Sequence, residues 1–158
     1  MDKINEILQN DIFKLNMEKL EKLEENREFC RHGINHSLDV ARIAYIMTLE
    51  NGLDYSKDII YAIALLHDIG RVMQYEKGVS HHEGSVILAK EILKDTSYDD
   101  EEISIIIEAI KNHRNKENAS EFNKLIFKSD KLSRNCFMCK SYDECYWDSN
   151  KKNNIINY

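Results

Sequence analysis

Proline is absent from the 158 residues, and glycine occurs only 5 times. A β-rich domain needs more turn-forming residues than that, so the chain is expected to be nearly all helix. A long apolar run is also missing. The most apolar stretch, Ile59 to Leu66, is interrupted by Tyr61 and ends at His67-Asp68, far short of the ~20 residues that span a bilayer. It reads as a buried core helix. The N-terminus MDKINEILQND is acidic and amphipathic and lacks the apolar core of a signal peptide. A cytoplasmic location is expected, with no membrane partner. An excess of basic charge is lacking too: 22 basic side chains face 28 acidic ones, for a net charge of −6. That balance argues against an extended nucleic-acid partner but leaves room for a small phosphorylated ligand in a local pocket.

What the chain does have is 6 histidines and 4 cysteines. Their placement depends on the helices. An N-terminal amphipathic segment of one or two helices covers residues 1–30, with apolar positions Ile4, Ile7, Leu8, Leu15, Leu20 and Leu23. A helix from about Gly33 to Glu50 stops at Asn51-Gly52. The next starts after Ser56, a plausible N-cap, and runs to Gly70. A loop at Gln74–Val79 is followed by helices over about Ser80–Lys94, Asp99–His113 and Ser120–Arg134. Residues 135–158 form a cysteine-bearing segment and a polar tail expected to be mobile. The expected architecture is a single-domain, all-α bundle of about six to seven helices, with its core over 31–134.

His36 shares a helical face with Val40, Ile43, Ala44 and Met47. His67 and Asp68 end the most apolar helix. His81 lies on a face with Ser85, Leu88, Ala89 and Ile92. His113 extends the stripe Ile103, Ile106, Ile107, Ile110, and Asp130 follows Phe122 and Ile126. A lone histidine on such a face is commonly a hydrogen-bonded core residue. Asp68 and Asp130 are harder to explain, because an inward carboxylate is costly unless it is paired or holds a metal. Five helices directing imidazole and carboxylate groups inward favour a buried metal centre.

His36, His67-Asp68 in ALLHDIGR and Asp130 in KSDKLSR resemble the H…HD…D signature of the HD-domain metal-dependent phosphohydrolases, over about Arg31 to Arg134. The sequence is also similar to the two-metal branch of that family, whose extra histidines match His81 and His113. His82 is an alternative to His81, since Val86, Ala89 and Leu93 give it an apolar face as well. The resemblance implies one ion on His36, His67, Asp68 and Asp130, and a second on Asp68, His81 and His113. Iron or manganese is the first expectation and zinc the next. Asp68, His67 and Asp130 would be the catalytic residues. Metal-activated water would attack a nucleotide or other small phosphate ester. Arg71, Arg114 and Lys131 are candidates for gripping phosphate, and ordinary solvated charges are the alternative. His32 is expected near the mouth of the site and not among the ligands.

Cys136, Cys139 and Cys145 form C-x2-C-x5-C, and Cys30 is the remaining cysteine. Four thiolates could hold a separate structural zinc or an iron–sulfur cluster. Reduced thiols with no metal are the alternative. Two other functions stay open: a non-catalytic nucleotide- or metal-sensing module, and di-iron oxygenase-type chemistry on the same ligands. The N-terminal amphipathic helices could pack on a second copy to give a homo-oligomer.

Overall fold

A computed structural model describes residues 2–112 and 120–158. Eight α-helices lie among the described residues, against the six to seven expected. They are α1 (Asp2–Gln9), α2 (Asp11–Leu23), α3 (Ile34–Glu50), α4 (Lys57–Leu66), α5 (Arg71–Lys77), α6 (His81–Leu93), α7 (Asp100–Asn112) and α8 (Glu121–Leu132). A 3-10 turn at Cys136–Met138 follows.

Local chemistry sets most of the boundaries. Ser56, Ser80 and Ser120 cap α4, α6 and α8 by accepting from backbone N–H groups of the first turn. Asp99 and Glu102 cap α7 reciprocally, each side chain accepting from the other's backbone N–H. Gly52 and Gly78 adopt positive φ where α3 and α5 end.

The N-terminal segment forms two helices, and α5 is the one helix beyond the expected range. Asn10 caps a new helix by accepting from Ile12 and Phe13 N–H, so the N-terminal segment splits into α1 and α2. The buried face of α2 is therefore Phe13, Met17 and Leu20, while Leu15 and Leu23 are exposed. The stretch expected as a loop at Gln74–Val79 is largely helical, because the chain turns at Asp68–Gly70 and restarts as α5.

The core centres on α4. Its residues Ile59, Ile60 and Ala62 to Leu66 are all buried, with α1, α3, α6 and α7 packed around it. Burial of each large side chain here contributes about 1.5–3 kcal/mol. This apolar centre fixes the end of α4, where His67 and Asp68 emerge. The polar tail is docked, contrary to expectation: Asn153 Nδ2 donates to Lys131 O and Arg134 O, at 2.7 and 2.8 Å.

Candidate metal centre

Four buried side chains converge from α3, the end of α4 and α8. His36, His67, Asp68 and Asp130 each offer a donor atom within 4.8 Å of the others. His67 Nε2 lies 3.2 Å from Asp68 Oδ2 and 4.0 Å from Asp130 Oδ1. His36 Nε2 lies 3.7 Å from Asp68 Oδ2 and 3.3 Å from Asp130 Oδ1.

Backbone and hydroxyl partners set the tautomers. His67 Nδ1–H donates to Ala64 O at 2.8 Å. Ser133 Oγ donates to Asp130 O and so accepts from His36 Nδ1–H at 3.1 Å. Both Nε2 atoms therefore face the carboxylates, the ring orientation that metal-ligating histidines need. Two imidazole nitrogens and two carboxylate oxygens, buried and preorganised, fit a divalent transition metal.

Electrostatics agree with this. Burial works against ionisation of Asp68, but His67, His36 and Arg71 outweigh it and hold its carboxyl well below the usual range. For Asp130 burial is likewise outweighed, here by His36, His67 and Lys131. Burial would lower the His67 pKa, yet Asp68 and Asp130 raise it. The site favours two carboxylates and cationic company, the demand that a metal ion meets.

Other expected site residues take defined places. His81 is buried, with Nε2 3.9 Å from Asp68 Oδ1. His82 instead lines a separate cavity with Val79, Val86 and Ile87. Arg71 Nε donates to Asp68 Oδ1 at 2.9 Å, and Lys131 Nζ to Asp130 Oδ2 at 2.7 Å. His113 and Arg114 lie outside the described residues.

A cleft of about 190 Å³ opens over Asp68 and Asp130. Arg27, Arg71, Lys131 and Arg134 give it a basic wall, and Tyr146 and Trp147 an aromatic one. Among the described residues the 27–32 segment and the 145–147 segment contribute much of its lining.

Two residues, Arg134 and Glu24, escaped the sequence reading, and His32 lies deeper than expected. Arg134 NH2 donates to His36 Nε2 at 3.1 Å, and its position four residues after Asp130 was the available signal. His32, expected only at the mouth, is buried with Nε2 4.0 Å from Asp68 Oδ2. Glu24 holds it and carried no sequence signal.

The cysteines gather on the flank of the centre. Cys30, Cys136 and Cys139 line one cavity beside His36, while Cys30 and Cys145 line the cleft. Ser141 Oγ donates to Glu28 O and Arg134 NH1 to Arg31 O, tying the two cysteine-bearing segments together. Among the described residues, the tight donor cluster is the histidine–aspartate one and includes no cysteine.

A helical bundle that presents histidines and aspartates from separate helices around one buried point belongs to the class of metal-binding α-domains. The HD domain family matches residues 33–135, and the chain belongs to that family. An uncharacterised protein of Clostridium beijerinckii is 46% identical over 158 residues, all of both chains. Ribonuclease Y of Mycoplasma mycoides is 32% identical over 134 residues, covering 84% of this chain. The chain spans only 29% of that protein's length. A crystal structure of a predicted HD superfamily hydrolase from an uncultured Thermotogales bacterium shares the fold. Its TM-score is 0.65 at 23% identity, with 90% of this chain and 79% of that one covered. Among the described residues no helix is long and apolar enough to cross a membrane.

Proposed function

We propose that the protein is a metal-dependent phosphohydrolase acting on a nucleotide or another small phosphate ester. The observation that carries this reading is the buried His36, His67, Asp68 and Asp130 cluster, whose two carboxylates line a basic cleft. A divalent ion held there, iron or manganese before zinc, supplies Lewis acidity and lowers the pKa of water. The protein's own residues do the rest. Asp68 presents Oδ2 to His36 and His67, and Oδ1 to Arg71 and His81. Asp68 and His81, with His113 from outside the described residues, would hold a second ion. Asp130 would accept a hydrogen bond from the water that attacks the ester. Arg71, Lys131 and, from outside the described residues, Arg114 grip phosphate oxygens. Tyr146 and Trp147 offer faces on which a base could stack.

The relatives named Ribonuclease Y favour a second reading, in which the ester is an RNA phosphodiester. The narrow cleft and the net charge of −6 favour the small ester. We place the protein in the cytoplasm. We also propose that Cys30, Cys136, Cys139 and Cys145 hold a separate structural zinc or iron–sulfur cluster, supported by their gathering from both ends of the chain.

A screen of nucleotides, sugar phosphates and short RNA against iron-, manganese- and zinc-loaded protein tests this. Phosphate release from a small ester, without oxygen consumption, is expected. Cleavage of RNA alone supports the second reading, and oxygen consumption without phosphate release contradicts both. In the same samples, Cys136→Ser with Cys139→Ser should lower zinc or iron content while the histidine-site metal stays. Unchanged totals would remove the cysteine site.

A further inference from the structure

Glu24 and His32 precede the segment that the HD domain family matches, residues 33–135, yet His32 comes within 4.0 Å of Asp68 at its centre, and Glu24 holds His32. Glu24 caps the end of α2 and is 1% exposed. Its carboxylate accepts from His32 backbone N–H at 2.7 Å, from His32 Nδ1–H at 2.7 Å and from the Tyr75 hydroxyl at 2.9 Å. A carboxylate with three donors is firmly placed, and the bond to Nδ1 leaves the His32 Nε2 lone pair directed elsewhere.

That lone pair faces the centre. In three histidines an acceptor stands at Nδ1 and Nε2 lies within 4.0 Å of Asp68 Oδ2. For His67 the acceptor is Ala64 O and the Nε2 distance 3.2 Å. For His36 it is Ser133 Oγ, with Nε2 at 3.7 Å. For His32 it is Glu24 Oε1, with Nε2 at 4.0 Å. The His32 and His36 rings meet edge to face with centroids 5.7 Å apart.

We infer that His32 is an additional nitrogen ligand of the metal centre, oriented by Glu24. A polar side chain buried at the floor of a basic cleft, with its second nitrogen tied to a carboxylate, has the carboxylate–histidine–metal arrangement. The N-terminal segment thereby becomes part of the site, since Glu24 belongs to the end of α2 and Tyr75 to α5. The inference rests on the metal centre proposed above.

Proton NMR of the full chain loaded with cobalt(II) separates the two claims. Each ligating imidazole gives one solvent-exchangeable, strongly shifted N–H resonance. With His81→Ala and His113→Ala combined, three such resonances are expected, from His32, His36 and His67. His32→Gln should delete one, and Glu24→Gln should keep it, shift it and weaken cobalt binding about 10- to 100-fold. Two resonances in the double variant, or a full set in His32→Gln with unchanged affinity, overturn the ligand role and leave the centre standing. A wild-type chain that takes up no cobalt overturns both.

Discussion

His32 is the residue at which burial and protonation meet most directly. Burial lowers its pKa from 6.5 to about 4, against the opposing pull of Glu24. Between those values the unfolded chain binds a proton that the folded chain refuses. Stability of the metal-free protein must then fall as pH drops from about 6.5 to 4, by up to roughly 3 kcal/mol. Asp68 and Asp130, held well below the carboxylate range, add a further loss as pH falls below their ordinary values. His67 has the opposite sign, since its raised pKa gives stability that is lost as pH climbs above 6.5. Denaturation midpoints of chelator-treated protein across pH 4.5 to 6.5 check this. Wild type should show the steeper decline and His32→Gln the shallower; equal slopes would contradict the account. Why the sequence reading left His32 at the mouth is physical. It precedes α3 in a non-helical stretch, so no periodicity assigned it a face, and its anchor Glu24 sits in a run of charges that reads as solvated.

Among the elements, the junction from α4 to α5 decides whether His67 and Asp68 are held in place. Ser85 of α6 is fully buried. Its hydroxyl donates to His67 O at 2.7 Å and accepts from Gly70 N–H at 2.9 Å. The approach is so close that a Cβ on Gly70 would stand 1.9 Å from Ser85 N and 2.4 Å from His81 O. Both obstacles are backbone, so neither can swing aside. Gly70→Ala should therefore destabilise the fold by about 3 kcal/mol or more, the upper end of overpacking costs. The same change at Gly52, where nothing lies within 4 Å, meets only the strain of its φ of +62° and should cost about 1 kcal/mol. Thermal or denaturant unfolding of the two variants makes the comparison, and equal losses would contradict the close packing. Helix limits set by Ser56, Ser80 and Ser120 were readable because capping is local. The short helix α5 was not, since it depends on where the chain must turn to pack.

At the scale of the molecule, the bundle is an HD domain with additions at both ends. The inward faces of α3, α4 and α8 were legible from apolar spacing, and with them His36, His67, Asp68 and Asp130. The additions were less so. The tail DSNKKNNIINY is polar enough to read as free, yet Asn153 satisfies the carbonyls of Lys131 and Arg134 at the end of α8. The cleft's walls come from segments remote in sequence, Arg27 to His32 and Cys145 to Trp147, which no local pattern joins. The net charge of −6 describes the surface, while the basic wall of the cleft describes what the site admits.

The central claim is that His67 and Asp68 hold a metal on which phosphate-ester hydrolysis depends. It is tested most directly by metal content and phosphate release measured together on wild type, His67→Ala and Asp68→Ala. The account predicts at least one equivalent of metal per wild-type chain. It also predicts that both variants lose metal and at least about 100-fold of the hydrolysis rate, equivalent to about 2.7 kcal/mol. Wild type binding less than one equivalent, or variants hydrolysing at the wild-type rate, would contradict it.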